Sequence, residues 1–258
     1  MTTDLKGRSA IITGASRGIG KAIACTCAKL GINLTIAARN QGPLKETAEE
    51  ISKNYKVEVL PVPCDVTKLG DLENLVNKTK EKFGKIDILI NNAGVSSQSP
   101  FHKQPIEDFE KLAHTNYLGY VRLIRLVIND MMEQKSGSII NMVSGSTLCD
   151  PLPRNFIVYG SLKVGLRAFS KGLFWEVRDH GIKVTSILPG VTDTELTGKL
   201  KEITADKSRL MTTEAIENAI NFALTVPANV CPLEIAVINQ QTPWTAPVIP
   251  FKQAHPSK

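Results

Sequence analysis

From the eighth residue onward, short apolar runs alternate with longer stretches of helical period, and nothing else in the chain restricts its folding as much. Strand candidates lie at 8–13, 32–38, 57–61, 86–90, 138–143, 183–188 and 235–238. Helical periodicity occupies 18–30, 44–54, 69–83, 109–132 and 158–177; in the third of these, Leu72, Leu75 and Val76 share one face. The strand runs lack an apolar–polar alternation, so both of their faces are expected to be covered. Strands of that kind, separated by helices, build a parallel sheet with right-handed crossovers and helices on both sides.

The expected fold class is therefore α/β, a doubly wound, seven-stranded parallel sheet of Rossmann type. A chain of 258 residues suits one such domain. Ligands of these sheets sit beyond the carboxyl ends of the strands, where the winding direction reverses, so residues at those ends are the functional candidates. The segment 194–213, between the sixth strand and a further helix, reads as a substrate lid. The proline-bearing stretch 242–258 shows no periodicity and reads as an irregular tail.

Composition removes several classes of function. No apolar run approaches the ~18 residues of a membrane span, so no membrane association is expected. The opening Met-Thr-Thr-Asp-Leu-Lys-Gly has neither an apolar leader nor a second-position glycine, which points to the cytoplasm. The formal charge is +6, yet the basic residues are interspersed with acids, and no nucleic-acid partner is expected. Five cysteines (Cys25, Cys27, Cys64, Cys149 and Cys231) show no Cys-x-x-Cys spacing, and the four histidines form no ligand pair, so no metal is expected.

Between the first strand and first helix stands Thr13-Gly14-Ala15-Ser16-Arg17-Gly18-Ile19-Gly20. A glycine-rich turn there suits a dinucleotide diphosphate at a helix N-terminus: Gly14 for the tight turn, Gly18 for close backbone approach, Gly20 for helix–strand packing. At the end of the second strand, Ala38-Arg39-Asn40 carries no acid to accept bonds from ribose hydroxyls. Arg39, with Arg17 from the glycine turn, suits a 2′-phosphate instead, which indicates NADP(H) over NAD. The alternative is two solvated surface arginines. Tyr159 and Lys163, four residues apart on a helix, share one face; a neighbouring ammonium favours the phenolate and brings the phenol towards proton transfer near neutrality.

The wide glycine spacing, three residues and then one, resembles that of the short-chain dehydrogenase/reductase family, and further motifs match it in order. Cys64-Asp65-Val66-Thr67, Asn91-Asn92-Ala93-Gly94, Thr115-Asn116-Tyr117, the strand ending at Ser144, Tyr159-Gly160-Ser161-Leu162-Lys163 and Pro189-Gly190-Val191-Thr192-Asp193-Thr194 all stand at the expected strand ends or helices. The resemblance implies a cofactor site of Gly14, Ser16, Arg17, Gly18, Ile19, Gly20, Arg39 and Asn40. Asp65 and Val66 would meet the adenine, and Asn92, Ala93 and Gly94 the region near its ribose. Pro189, Gly190, Thr192 and Thr194 would anchor the nicotinamide, Gly190 and Thr192 through backbone groups. It implies that Tyr159 and Lys163 also touch the cofactor, and that Asn116, Ser144, Tyr159 and Lys163 are catalytic, Asn116 holding a water that links the lysine to solvent.

Ser144 lies fifteen positions before Tyr159, somewhat farther than the family spacing, so Ser146, thirteen before it, competes for the same role. The implied activity is hydride transfer between NADP(H) and a small-molecule carbonyl or alcohol substrate, with a ketone or 3-oxoacyl compound reduced. A non-catalytic NADP-binding regulator and a sugar-nucleotide epimerase or dehydratase are the alternatives. A homodimer or homotetramer is expected from the apolar faces of the long helices. Arg154, in the loop before Tyr159, is a candidate receptor for a substrate carboxylate or phosphate.

Overall fold

The computed structural model of the chain describes residues 4–200 and 203–245. Seven strands form one all-parallel sheet: β1 (Ser9–Thr13), β2 (Asn33–Ala38), β3 (Val59–Pro63), β4 (Ile88–Asn91), β5 (Gly137–Met142), β6 (Ile182–Pro189) and β7 (Glu234–Val237). Their order across the sheet is β3-β2-β1-β4-β5-β6-β7, so the winding reverses between β1 and β4. The register of that central pair is fixed at its lower end by Asp87, whose carboxylate accepts from Arg8 Nη1 and from the Ser9 N–H, both at 2.9 Å.

The helices are α1 (Gly18–Lys29), α2 (Gln41–Tyr55), α3 (Leu69–Phe83), α4 (Ile106–Ala113), α5 (Gly119–Glu133), α6 (Ile157–Val177) and α7 (Thr213–Thr225). Alternate residues of each strand feed two apolar layers. Ile12, Leu34, Ile36, Ile90, Ile140 and Ile187 pack on Ile23, Leu44, Ile51, Ile216 and Ile220 of α1, α2 and α7. Ile11, Val62, Leu89, Ile139 and Val184 pack on Leu72, Leu75, Leu123, Val127 and Met131 of α3 and α5. The period-2 geometry of a strand sends neighbours such as Ile11 and Ile12 to opposite faces, which is why these runs carry no polar side.

Most elements differ from the sequence expectation by a residue or two at an end, and β4 starts two residues later, at Ile88; three differences have a physical reason in the residues themselves. β3 runs two residues later, because Pro61 and Pro63 lie on an edge strand; their missing N–H groups fall on its open side, while Cys64 N–H reaches Ala38 O at 3.0 Å. The helix expected from 44 begins at Gln41, since Pro43 is tolerated in a first turn. The single helix expected over 109–132 is interrupted by a π-helical turn, His114–Leu118, between α4 and α5. The described residues of 194–213, expected as a lid, include two short 3-10 turns, Thr197–Lys199 and Lys207–Arg209. Of the expected tail, 246–258 lies outside the described residues. No helix among the described residues is long and apolar enough to cross a membrane.

Candidate active site

A cleft of about 980 Å³ opens at the carboxyl ends of the strands, on the line where the winding reverses. Its floor is the glycine turn. Gly14 holds φ +67°, and a Cβ there would stand 2.8 Å from Ala93 Cα; one on Gly20 would meet Gly14 O at 2.1 Å. The turn is stitched to the end of β4: Thr13 Oγ1 accepts from the N–H groups of Asn92 and Ala93, and Asn92 Nδ2 donates to the carbonyls of Thr13 (2.9 Å) and Gly14 (3.3 Å). Asn92, expected as a cofactor neighbour, does line the cleft, but its amide N–H groups are engaged in holding the floor together.

The N-terminus of α1 faces the cleft with no side-chain cap, leaving the first-turn N–H groups for an anion. At Gly18, φ +54°, a Cβ would project into the cavity, its nearest neighbours the Thr194 side-chain carbons at 3.7 and 3.8 Å. This open cradle fits a diphosphate. Ser16 and Ile19 line it too, and Thr47 Oγ1 of α2 donates to Ser16 O.

Along the wall from β2 and β3, Arg39, Asn40, Asp65 and Val66 line the cleft. Burial opposes ionisation of Asp65, yet hydrogen bonds from the Thr67 N–H and hydroxyl, with the charges of Arg39 and Lys68, hold its carboxyl below the usual range. Asp65 Oδ1 is the oxygen that takes both Thr67 bonds, so Asp65 closes a local turn as well as facing the cleft. Arg39 is exposed on the rim. Arg17, expected to face the same phosphate, is turned to Glu195 at 2.5 Å, an ion pair between two side chains each about two-thirds exposed (63% and 64%). Such a pair contributes little and yields readily to a stronger anion.

The residues expected to transfer the proton converge on the opposite wall. Lys163, buried on α6, donates from Nζ to Met142 O at 2.7 Å and stands 4.8 Å from the Tyr120 ring centroid and 6.0 Å from that of Tyr159. Burial lowers its ammonium to about 7. Burial raises the Tyr159 phenol, and a hydrogen bond with Ser144 pulls the other way. Ser144 opens the 3-10 turn Gly145–Leu148; Ser146 donates to Ser144 Oγ from both its N–H (3.2 Å) and its hydroxyl (2.9 Å). Of the two competing serines, Ser144 is the one that bonds to the phenol, and Ser146, also in the cleft lining, bonds to Ser144.

Asn116 lies fully buried in the π-helical turn. Its Nδ2 donates to Val95 O (2.9 Å) and its Oδ1 accepts from Val95 N–H (3.2 Å). The side chain thus holds the strand exit that carries Ala93 and Gly94, and makes no direct bond to Lys163. A relay through a water would have to use its remaining N–H and lone pair.

The exit of β6 forms the roof. Gly190 N–H is taken by Val237 O at 2.7 Å and Thr192 O by the Thr197 hydroxyl at 2.6 Å, while the Gly190 carbonyl accepts weakly from Thr192 Oγ1 (3.4 Å). Pro189, Thr192 and Thr194 line the cleft as expected. Asn239, which sequence reasoning missed, clamps the roof: its Oδ1 accepts from Val191 N–H (2.8 Å), and its Nδ2 donates to Val191 O and Arg209 O, both 2.9 Å. Its position just past the last strand was the available signal. Phe156 and Trp244 were missed likewise, and both line the cleft. Arg154 does not: it is exposed and outside the lining, which removes the basis for an anion receptor there.

Residues 8–205 match the family model described as short chain dehydrogenase. The chain belongs to the short-chain dehydrogenase family. Similar to this short-chain dehydrogenase are uncharacterized oxidoreductases of Staphylococcus saprophyticus (35% identical, covering 91% of this chain and 98% of the relative) and Staphylococcus haemolyticus (34%, 91% and 98%). Among solved structures, an alcohol dehydrogenase of the archaeon Thermococcus sibiricus complexed with 5-hydroxy-NADP superposes with a TM-score of 0.82 at 28% identity, covering 89% of this chain and 95% of the other. A short-chain type dehydrogenase/reductase of Mycobacterium marinum gives 0.83 at 28%, covering 91% and 95%. As a short-chain dehydrogenase, the protein is an oxidoreductase acting on CH–OH or C=O groups with a nicotinamide cofactor.

Proposed function

We propose that the protein is an NADP(H)-dependent carbonyl reductase of ketone or 3-oxoacyl substrates, working in the cytoplasm as a homodimer or homotetramer. The convergence of Ser144, Tyr159 and Lys163 on one point of the cleft wall carries this reading. The cofactor choice rests on the rim, where the end of β2 carries Arg39 and no acidic residue of its own, Asp65 standing across on the exit of β3, and Arg17 is held only by an exposed partner. The Thermococcus relative, whose bound ligand is an NADP derivative, supports it.

A nicotinamide held in the cleft would supply the hydride that reduces a carbonyl carbon, or accept one from an alcohol. Ser144 donates a hydrogen bond to the substrate oxygen, and its own oxygen is steadied by the two Ser146 bonds. Tyr159 gives that oxygen its proton, so the carbonyl becomes an alcohol with one hydrogen on carbon and one on oxygen. Lys163, anchored on Met142 O, sets the charge beside the phenol, and in its cationic form favours the phenolate left behind. Asp65 and Val66 suit the adenine, Asn92, Ala93 and Gly94 the ribose wall, and Thr192 and Thr194 the carboxamide end. Asn116 holds Val95 and the strand exit beside them.

The test is affinity for NADPH and NADH, followed by NADPH oxidation with a panel of ketones. We expect NADPH to bind at least tenfold tighter; equal affinities would reject the two-arginine account. Ser144→Ala should lower kcat by on the order of a hundredfold, and Ser146→Ala by much less. Loss confined to the Ser146 variant would transfer the role to Ser146. Tight NADPH binding with no turnover of any ketone would favour the regulator.

A further inference from the structure

Past Tyr159 the cleft changes character. The charged side chains that line it are Arg17, Arg39, Asp65, Lys163 and Glu195. Arg17 and Glu195 pair with each other, Arg39 and Asp65 stand together on the β2–β3 wall, and Lys163 is spent on Met142 O. The lining contributed by the loop before α6 and by the chain after β7 holds no charge among the described residues. It is built from Cys149, Pro153, Phe156, Ile238, Asn239 and the segment from Thr242 to Thr245.

Within that end, three rings run in series. Phe156 meets Tyr159 edge to face, with centroids 6.4 Å apart and planes at 68°; Trp244 meets Phe156 in the same manner, at 5.6 Å and 61°. Phe156 is buried, and Trp244 is partly exposed to the cleft. Trp244 is not a loose side chain on a tail: it forms an antiparallel bridge with Ile203, and Thr204 N–H donates to Pro243 O at 2.8 Å. The segment at 203–204 and the chain after β7 thus hold an indole against Phe156, one ring removed from the one that bears the reactive hydroxyl.

A carboxylate or phosphate placed here would lose its water without meeting a cation, which is heavily unfavourable. A flat apolar group would instead lie against aromatic edges, an arrangement that rings prefer. We propose that Phe156, Trp244 and the Tyr159 ring form a substrate subsite for an uncharged aryl group carried next to the reacting carbonyl, and that Trp244 is a specificity-determining residue for aryl ketones. This rests on the carbonyl-reductase reading and narrows it, disfavouring acidic and carrier-bound acyl substrates.

The experiment uses the full chain and has two arms. The chain holds two tryptophans, so Trp175→Phe leaves Trp244 as sole reporter. With NADP+ present, 1-phenylethanol should change its emission saturably, whereas 2-butanol should not. In the kinetic arm, acetophenone should exceed both 2-butanone and phenylglyoxylate in kcat/KM by at least tenfold. Trp244→Ala should cut the acetophenone-to-butanone ratio at least tenfold, and Trp244→Phe should restore most of it. An unchanged ratio in Trp244→Ala, a preference for phenylglyoxylate, or emission blind to 1-phenylethanol would overturn the subsite. If no ketone were reduced but the emission change persisted, the subsite would stand and the reductase reading would fall. Reduction without aryl preference would have the opposite meaning.

Discussion

Lys163 is the residue at which fold and chemistry conflict. The group faces Tyr120 and Tyr159, whose burial keeps both phenols neutral well past neutrality, and its ammonium is lowered by burial from 10.5 to about 7. Between those values the unfolded chain holds a proton that the folded one releases, so this lysine destabilises the fold fully below pH 7, and the penalty fades as pH rises towards 10.5. The unfolding free energy of the protein relative to Lys163→Met should therefore climb between pH 7 and 9 by more than about 1 kcal/mol per pH unit. Urea unfolding at successive pH values measures it, and a flat difference would reject the buried ammonium. The Tyr159–Lys163 pair was legible in the sequence because a four-residue helical spacing is local. Asn239 was not, because its partners Val191 and Arg209 are brought to it only by the pairing of β6 with β7.

At the scale of elements, the π-helical turn between α4 and α5 converts one expected helix into two with a change of phase. Asn116 sits at its centre, bonded to both backbone groups of Val95. Asn116→Ala would leave that N–H and C=O without their partner at the half-buried wall of the cleft, where water replaces part of what is lost, at a cost of about 1 kcal/mol. Asn116→Asp should do no better, since a carboxylate accepts from the N–H but repels the carbonyl. Thermal and urea unfolding of the two variants decide this; an aspartate variant as stable as the parent would remove Asn116's donor role. The apolar periodicity gave no warning of the turn, because Tyr120, Leu123 and Val127 continue the buried face beyond it. Only an asparagine inside a helical pattern hinted at a partner outside the helix. The β3 shift is likewise a matter of place: prolines at 61 and 63 fit a strand because β3 lies at the edge of the sheet, which its own sequence does not tell.

For the whole molecule, the strand and helix alternation was enough to anticipate the parallel sheet, while the surfaces that it presents to other molecules were not legible. The face of α6 turned away from Tyr159 and Lys163 exposes Ile157 (48%), Val164 (42%) and Trp175 (60%), with Ser161, Ala168 and Gly172 between them. A largely apolar stripe of this kind, with Arg178 stacked on Trp175 at one end, suits the proposed homo-oligomer. Light scattering should find the parent at two or four times the monomer mass and Val164→Glu at the monomer mass; a monomeric parent would remove the proposal. The cleft itself draws on both ends of the chain, its floor from Gly14–Gly20 and its far wall from Asn239 and Trp244. A ribosome makes these parts in that order. The residues of the cradle are thus made long before those of the roof clamp and the indole, but α1 packs on the late helix α7, so the floor of the cleft waits for the same distant part of the chain that supplies its far wall.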